Sequence, residues 1–348
     1  MKCFILAGGF ATRLWPLTEK RAKPLLPLAG KPMLTHIVEK IPASIPITVS
    51  TNAAFAEPYF AWRKTIDREN LEIVIERTTS DDQKLGTNGA VAQWIREAKL
   101  DEDLLLLTGD NYLGFSMDAF LESFDPKRPI LAAYDIKDLG QASKFGTVIL
   151  DLSEKLKATQ ETEETNESGN SSSSVSFVSS VSSVKAFEEK PKEPKTTLVS
   201  TGCYAIPKTC LPIVVEYAKD HPDNIGGIFE EFLRQGISVD CFRFDEPWFD
   251  IGSFDVYIEA TRKLVGEQCL QAKGVTLTET ICEGSVVIDA GSTITKSTLR
   301  DTVVFGGSTI DDCVIDRCVI DEGCVLKGVD LTGKMIRAGT VLKRTGIK

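Results

Sequence analysis

The sequence predicts an α/β domain built on a mostly parallel sheet, followed by a solenoid of short strands. Up to about residue 266, short apolar segments alternate with amphipathic helical segments, which is the pattern of a sheet covered by helices on both faces. From about residue 273, aliphatic residues recur every five or six positions between Gly, Asp, Ser and Thr, a spacing that fits neither a helix nor an ordinary strand. We therefore expect two domains, over residues 1–266 and 273–345.

The elements of the first domain follow from the period and length of the apolar segments. Strands are predicted at residues 2–7, 45–50, 72–76, 103–108, 130–134, 146–150, 184–188, 199–205 and 238–244. Helices are predicted at residues 31–41, 89–98, 117–124, 208–218, 227–234 and 254–265. Open sheets of this kind bind ligands at the carboxyl ends of their strands, so we look for chemistry there.

Residues 152–183 interrupt the alternation. They combine an acidic run with a serine-rich stretch and contain too little apolar surface to offset the entropy of ordering. We expect a flexible insertion at the tip of a hairpin, with strand character returning near residues 175–184.

Composition excludes several classes of protein. The 348 residues are 42% hydrophobic and carry a net charge of −10, which argues against a nucleic-acid-binding surface. The nine cysteines are scattered and favour small buried side chains in a reducing compartment over zinc or disulfides. No apolar run approaches ~18 residues, and the N-terminus begins on a strand instead of a leader. We expect a cytoplasmic protein without membrane contacts.

The densest chemical signal is the run LAGGFATRLWPLT at residues 6–18. A buried strand leads into two glycines, so backbone N–H groups can approach an anion closely. Arg13 and Lys23 follow, and two cations behind a glycine loop suit a polyphosphate. The run lacks the third glycine of G-x-G-x-x-G, and Gly30-Lys31 lacks the Ser or Thr of a P-loop.

This run, with AKPLLP at residues 22–27 and GKP at 30–32, resembles the signature of the sugar-1-phosphate nucleotidyltransferases (NDP-sugar pyrophosphorylases), and within them the glucose-1-phosphate thymidylyltransferases. The resemblance implies a Rossmann-like sheet, the nucleotidyltransferase fold. It also implies that Arg13 and Lys23 are catalytic and that the nucleotide is bound by Leu6, Ala7, Gly8, Gly9 and Thr12. Ala11 and Ala22 stand where the family usually has Gly and Pro.

Two further segments match the same family. LLLLTGDN at residues 104–111 ends a predicted strand in Asp110, and WFDIG at 248–252 contains Asp250. The resemblance implies that these two carboxylates hold a catalytic Mg²⁺. Ser253-Phe254 replaces the usual Thr-Pro after this segment.

Other matches concern the two substrates. FEEKP at residues 187–191, TGCY at 201–204 and the glycine after Phe145 resemble the segments that bind the sugar phosphate, which implies roles for Gly146, Glu189, Lys190, Thr201 and Gly202. LGTNG at residues 85–89 resembles a helix N-terminus beside the base and ribose, where Asn88 replaces alanine. The implied nucleotide contacts are Gly86, Thr87 and Gly89, with Gln83 as a candidate reader of the base.

The aliphatic residues of the C-terminal repeat are Ile281, Val287, Ile294, Leu299, Val304, Ile310, Ile315, Ile320 and Val325. Their spacing resembles the imperfect hexapeptide repeat of a left-handed parallel β-helix. Related acyltransferases use a histidine in the coil, whereas His36 and His221 both lie outside it. We expect a module for oligomerisation or regulation, in a homo-oligomer. We also expect a chain cut after about residue 266 to have a lower oligomeric state and lower stability while it keeps measurable nucleotidyl transfer.

The resemblance implies an enzyme of the EC 2.7.7 type that takes an NTP and a sugar 1-phosphate and releases NDP-sugar and pyrophosphate. The Gly109-Asp110-Asn111 sequence leans towards dTTP or UTP with glucose 1-phosphate. The alternatives are a mannose-1-phosphate guanylyltransferase and a non-catalytic regulatory homologue. Retention of Arg13, Lys23 and both carboxylates favours the enzyme.

Overall fold

The computed structural model describes residues 1–9, 12–76, 85–151 and 180–344. The strands of its first part are β1 (Lys2–Leu6), β2 (Pro27–Leu28), β3 (Lys31–Pro32), β4 (Ile47–Asn52), β5 (Leu71–Glu76), β6 (Leu104–Thr108), β7 (Asn111–Leu113), β8 (Ile130–Asp135), β9 (Gly146–Leu150), β10 (Ser180–Glu189), β11 (Leu198–Ile206), β12 (Asp240–Phe244) and β13 (Trp248–Asp250). The α-helices are α1 (Met33–Lys40), α2 (Ala56–Arg63), α3 (Thr87–Glu97), α4 (Met117–Glu122), α5 (Leu139–Ala142), α6 (Leu211–Tyr217), α7 (Gly227–Arg234) and α8 (Phe254–Val265). No helix within these ranges is long and apolar enough to cross a bilayer.

The main sheet has the strand order β5-β4-β1-β6-β11-β8-β12-β10-β9. Its first four strands are parallel, as predicted. In the other half, β11 runs antiparallel to β6 and β8, and β10 runs antiparallel to β12 and β9, so these two strands are reversed and the other seven run in one direction, as expected of a mostly parallel sheet. The carboxyl ends of β1, β4, β5 and β6 therefore lie together at one edge.

Each predicted strand and helix of the first domain is present, with ends that shift by a few residues. The sequence did not predict the two-stranded ribbons β2–β3 and β7–β13 or the helices α2 and α5, because these elements are too short or too weakly amphipathic to show a period. Ser180 already begins β10, so the last residues assigned to the insertion belong to the sheet. The rest of the insertion lies outside the described residues.

Helices cover both faces of the main sheet. One face packs its alternate side chains against α1, α2 and α4, and the other packs against α3, α6 and α7. Phe4 on β1 stacks on Trp94 of α3 with ring centroids 4.5 Å apart. The sheet is therefore a buried platform, and ligands can approach it only at its ends.

The C-terminal part is a left-handed β-helix. Its strands are β14 (Cys269–Gln271), β15 (Thr276–Thr278), β16 (Ile281–Glu283), β17 (Val286–Ile288), β18 (Thr293–Thr295), β19 (Thr298–Arg300), β20 (Val303–Val304), β21 (Thr309–Asp311), β22 (Val314–Asp316), β23 (Val319–Ile320), β24 (Val325–Lys327), β25 (Asp330–Thr332), β26 (Met335–Ile336) and β27 (Val341–Lys343). They stack as three parallel sheets that form the sides of the coil. One corner of successive coils is turned by glycines with positive φ: Gly274, Gly291, Gly307, Gly323 and Gly339.

The interior of the coil contains most of the predicted aliphatic residues. The side chains from Val287 to Ile320 in that series are at most 2% exposed. The register differs at the two ends, where Ile281 is 58% exposed and Leu326, instead of Val325, is fully buried. In the three-residue strands of the two sheets that begin with β15 and β16 the middle side chain points inward, so Cys282 and Leu326 take the inward positions. In the third sheet Val287, the middle residue of β17, faces the first domain instead.

The β-helix and the first domain share a hydrophobic core. This core combines Leu14, Leu17, Leu26, Leu28 and Met33 of the signature loop, Ile251, Tyr257, Ile258, Ala260 and Val265 of α8 and the segment before it, and Val287, Val303, Phe305 and Val319 of the coil. Arg21 adds a polar clamp, because its guanidinium contacts Asp321 at 2.9 Å and Glu322 at 2.7 Å and lies 4.9 Å from the ring centre of Phe305. The packing therefore supports the expected loss of stability on truncation, and it ties the loop that contains Lys23 to the coil.

Truncation after Gly266 tests this shared core. It would expose the apolar side chains of the loop that contains Lys23, and each large side chain that loses its burial costs about 2 kcal/mol. We expect the truncated chain to aggregate or melt at least 10 °C below the full chain and to lose the order of its signature loop. Thermal unfolding and limited proteolysis would show this, and a monomeric truncate with unchanged melting would contradict it.

Asp289 lies at the same interface, where burial raises the pKa of its carboxyl from 3.8 to about 6 against the opposing effect of Arg21. Because the folded state holds this proton more tightly than the unfolded state, the free energy of unfolding falls as pH rises from about 4 to about 6. Asn cannot ionise, so Asp289→Asn should raise the melting temperature at pH 8 and give no gain at pH 3.5. A gain of equal size at both pH values would contradict the assignment.

Candidate active site

The candidate site lies where β1 and β6 end side by side. Leu6 O accepts the N–H of Gly109 at 2.8 Å, and a Cβ on Gly109 would come within 3.0 Å of that carbonyl oxygen. This close approach explains the glycine and places the Gly8-Gly9 loop beside Asp110. The ribbon β7–β13 then pairs Asp250 with Asn111, which brings the second carboxylate to the first.

The ammonium of Lys23 joins the two carboxylates. Its Nζ donates to Asp110 Oδ2 at 2.8 Å and to Asp250 Oδ1 at 3.3 Å. Burial alone would lower the pKa of Lys23, but the two carboxylates outweigh it and raise that pKa. Burial also raises the pKa of Asp250, whereas Lys23 overcomes burial at Asp110 and lowers its pKa. The Lys23 side chain is 9% exposed, and the two Asp side chains are 40% and 37% exposed.

A hydrogen-bonded chain holds Asp110 in place. Asn111 Nδ2 donates to Asp110 Oδ1 at 2.9 Å and to Thr108 Oγ1 at 2.8 Å. Trp248 Nε1 donates in turn to Asn111 Oδ1 at 2.9 Å. The Asn111 side chain is thus engaged in supporting the carboxylate.

Two cavities meet at the carboxylate pair. The first, of about 340 Å³, is lined by Leu6, Ala7, Gly8, Gly9, Arg13, Leu14, Lys23, Pro24, Glu76, Gly86, Thr87, Ala90, Thr108, Asp110, Asp223, Ile251 and Gly252. The second, of about 1190 Å³, is lined by Asp250, by the aromatic residues Tyr134, Phe145, Trp248 and Phe249, and by residues of α8 and the coil. We call the first the glycine-loop cleft and the second the aromatic cavity.

The segment before α3 closes one end of the glycine-loop cleft. Gly86 has φ 76°, and a Cβ there would lie 2.3 Å from the carbonyl oxygen of Pro222, so only glycine fits. The N–H of Thr87 donates to Asp223 Oδ1 at 3.3 Å. Gly89 N donates to Pro222 O at 3.1 Å, so this glycine packs on the loop at 222 and does not line the cleft.

Besides the two cavities, the structure has a narrow slot between Gly146 and Gly226 that contains the Glu189 carboxylate. We call it the Glu189 slot. Glu189 Oε2 would lie 2.8 Å from a Cβ on Gly146 and 2.0 Å from one on Gly226. Burial raises the pKa of the Glu189 carboxyl, and Lys190 Nζ, 3.5 Å from Oε1, offsets this only in part. Lys190 adopts φ 46°, which breaks the strand alternation and lets two adjacent residues come together.

Three comparisons bear on the family. The profile of the "Nucleotidyl transferase" family matches residues 2–267. The chain belongs to this family. A bifunctional protein GlmU from Methanocaldococcus jannaschii is 25% identical over 301 residues, which are 84% of this chain and 61% of that protein. The chain therefore spans less than two thirds of that relative's length.

Two more proteins are similar along most of the chain. A mannose-1-phosphate guanylyltransferase from Mycobacterium tuberculosis is 25% identical, over 88% of this chain and 80% of that protein. A crystal structure of a Bacillus anthracis protein provisionally assigned as a glucose-1-phosphate thymidylyltransferase, in complex with a sucrose, superposes with a TM-score of 0.58 at 20% identity, over 75% of this chain and 94% of the other. At that identity the superposition shows the fold alone.

Several departures from the usual sequence of the nucleotidyl transferase family are accommodated by the backbone. Ala22 has φ −67° and ψ 146°, which is the conformation that a proline would impose. Ser253 caps α8 by accepting the N–H of Val256. Asn88 donates to the carbonyl oxygens of His221 and Asn224 at 2.8 and 2.6 Å, so it ties α3 to the neighbouring loop. Ala11, Gln83 and the side chain of Thr12 lie outside the described residues.

Gly202 and Thr201, which were predicted to contact the sugar phosphate, are placed differently. Gly202 has φ 76°, and a Cβ there would lie 2.2 Å from Thr108 Oγ1, so it packs directly against the wall of the glycine-loop cleft. Thr201 is 1% exposed and donates its hydroxyl to Ala132 O at 2.9 Å, so its side chain belongs to the core of the sheet. Gly202 therefore lies behind the wall of the cleft without lining it, and the Thr201 hydroxyl is turned into the sheet.

The carboxylate pair fits a divalent cation. Both carboxylates reach the single ammonium of Lys23 from different elements, so they converge on one point of positive charge. Within the part of the chain that the structure describes, no group of three or more His, Cys, Asp or Glu is placed to hold a metal. Mg²⁺ is typically held by one or two carboxylates together with phosphate oxygens and water, so this donor set suits Mg²⁺ shared with a phosphate ligand.

Sequence reasoning missed several residues that line or shape these cavities, Glu76 and Gly226 among them. Glu76 ends β5 and faces the glycine-loop cleft, and Gly226 forms one wall of the Glu189 slot. The rule that ligands bind at the carboxyl ends of parallel strands could have found Glu76, since β5 was predicted to end there. Nothing local marks Gly226, because its role depends on a side chain 37 residues earlier in the sequence.

Proposed function

We propose that this protein transfers a nucleotidyl group from an NTP to a sugar 1-phosphate and releases pyrophosphate. The observation that supports this most directly is the position of Lys23, Asp110 and Asp250 at the junction of two cavities. The glycine-loop cleft would take the NTP, and the sugar phosphate would lie between the aromatic cavity and the Glu189 slot, which adjoin at Phe145 and Gly146. Two phosphates would then meet at the carboxylate pair, where in-line attack on the α-phosphorus is required.

The glycine loop and its cations would serve the NTP. Backbone N–H groups at Gly8 and Gly9 can approach phosphate oxygens because no Cβ is present. Arg13 is exposed in the cleft, and a Cβ on Gly252 would lie 3.9 Å from its Nη1, which places the guanidinium close to the carboxylate pair. Arg13 and Lys23 would neutralise charge that develops on the leaving pyrophosphate.

The Glu189 slot would serve the acceptor. A buried carboxylate is a strong acceptor for sugar hydroxyls, and the adjacent Lys190 ammonium would bind the sugar phosphate. A Cβ on Gly146 would meet Phe187 at 2.3 Å and Glu189 Oε2 at 2.8 Å, so glycine at this position lets the Glu189 carboxylate pack against β9. A phosphate monoester is largely dianionic near neutral pH, so no protein base is required to activate it.

Mg²⁺, which the carboxylate pair would hold, supplies electrophilic stabilisation of the phosphates. Apart from the metal, the contribution of the chain is positioning: Asn111 and Trp248 hold Asp110, and Lys23 keeps the two carboxylates together when their charge would otherwise drive them apart.

The sequence favours dTTP or UTP as donor and glucose 1-phosphate as acceptor, with a mannose-1-phosphate guanylyltransferase as the alternative. The lean towards pyrimidines came from the Gly-Asp-Asn sequence. Because the Asn111 side chain is engaged with Asp110, Thr108 and Trp248, it supports the carboxylate and does not by itself discriminate between bases. A homo-oligomer remains part of the proposal, and the exposed Ile281, Val314 and Val341 on the outside of the coil support it.

The experiment is a matrix of NTPs against hexose 1-phosphates with Mg²⁺, scored by pyrophosphate release and by product mass. Release that depends on both substrates supports the proposal. Nucleotide binding without release for any pair would favour the regulatory homologue instead.

Asp110→Asn and Asp250→Asn should each lower turnover by at least ~100-fold, because each removes a carboxylate that would hold the metal. The matched control is Asp118→Asn on α4, an exposed residue that lines neither cavity. Circular dichroism would verify folding of each variant. Turnover within a factor of three of wild type in either site variant would remove that residue from the metal site.

Gly226→Ala tests the Glu189 slot. Gly226 has no positive φ, so the substitution acts through its methyl group, which would lie 2.0 Å from Glu189 Oε2 and displace the carboxylate. We expect the KM for the sugar 1-phosphate to rise at least tenfold while the KM for the NTP stays within a factor of two. Gly306→Ala in the coil is the control, because Gly306 lines neither cavity and has no positive φ. An equal rise in both KM values would contradict the role of the slot.

A further inference from the structure

The charged side chains that line the glycine-loop cleft are unevenly distributed. Arg13, Lys23 and Asp110 line the cleft on the side of β1 and β6, whereas Glu76 ends β5 and Asp223 accepts the N–H of Thr87 in the first turn of α3. In the sheet order, β5 is three strands away from β6, which corresponds to roughly 14 Å at ~4.8 Å per strand. Two carboxylates repel phosphate groups, so a nucleotide in this cleft must point its uncharged end towards Glu76.

Glu76 is positioned by its neighbours and is only partly exposed. Its Oε1 accepts the hydroxyl of Ser50 at 2.6 Å and would lie 3.3 Å from a Cβ on Gly8. Burial raises the pKa of this carboxyl, and the Ser50 hydrogen bond opposes the rise. An ionised carboxylate has acceptor sites only, and Ser50 uses one of them, so the remaining sites face the cleft.

We propose that Glu76 binds the nucleobase and selects guanine. Guanine presents two adjacent donors on its Watson–Crick edge, N1–H and the N2 amino group, which match the two oxygens of one carboxylate. Uracil and thymine present one donor between two acceptor oxygens, and those oxygens would be repelled. Adenine and cytosine present one amino group beside an acceptor nitrogen. The inference rests on the proposed function and favours its guanylyl alternative.

The chain contains a matched control for this residue. Glu72 lies on the same strand and accepts the hydroxyl of Thr48 on β4 at 2.7 Å, which is the same type of contact as that of Glu76 with Ser50. Glu72 is exposed and does not line the cleft. In both positions glutamine keeps an oxygen that can accept the hydroxyl, so neither Glu76→Gln nor Glu72→Gln should disturb the pairing of the two strands.

The experiment measures equilibrium binding of GTP, ATP, CTP, UTP and dTTP with Mg²⁺ by calorimetry to the full chain. We expect wild type to bind GTP at least about tenfold more tightly than each other NTP, since one well-placed bidentate contact discriminates by roughly that factor or more. In Glu76→Gln the affinity for GTP should fall at least about tenfold, while that for UTP and dTTP holds or rises. Glu72→Gln should match wild type throughout.

Three results would overturn the proposal. One is a wild-type chain that binds a pyrimidine nucleotide or ATP as tightly as GTP, and this ranking requires no variant. Another is an equal loss for all five NTPs in Glu76→Gln, which would assign the carboxylate to the ribose. The third is no change in that variant. The ranking of NTP affinities tests guanine selection, whereas the pyrophosphate matrix tests nucleotidyl transfer. Turnover with UTP alone would therefore support the proposed function and reject guanine selection.

Discussion

The contact of the Lys23 ammonium with Asp110 and Asp250 is the constraint on which the geometry of the site depends. Two partly buried carboxylates from different elements repel each other, and a buried anion without a partner is costly. The cation between them fixes three pieces of chain at once: the signature loop, the end of β6 and the ribbon β7–β13. The two cavities meet at this point because these three pieces do.

The β-helix helps to hold the loop that carries Lys23. The loop that carries Lys23 has one apolar side on α8 and the coil, and Arg21, two residues earlier, binds Asp321 and Glu322. Glu19 on the same loop pairs with Arg337 of the coil. Fastening a glycine-rich loop through both apolar packing and ion pairs restricts its freedom, which is what a site based on positioning requires. The coil is thus part of the support of the site, whatever further role it has.

In the proposed function, the residues that act on the phosphates are different from those that select the nucleobase and the sugar. The cations and carboxylates that would carry the chemistry lie beside the ends of β1 and β6 and on β13, whereas the residues that would choose the substrates, Glu76 and Glu189, lie on β5 and β10 at opposite sides of the sheet. Changing a strand-end residue at the periphery of the sheet leaves the central contact of Lys23 intact. This separation gives a physical reason why one scaffold can serve different nucleotides and sugars.

The sequence by itself determined the order of strands and helices, the β-helix and the signature loop, because each is encoded in local periodicity or in one contiguous motif. It did not determine the direction of the strands in the second half of the sheet, the ribbon β7–β13 or the inward register at Ile281 and Val325, which depend on pairing partners. Lys23 lies 87 and 227 residues from the two carboxylates it contacts, and no local pattern spans such distances. The same holds for the slot around Glu189 and for Glu76 beside Gly8. These residues can be read in the sequence, but only the tertiary structure decides that they meet. The reason is that contacts between residues far apart in the chain form through packing of the whole sheet and not through the residues that finally touch.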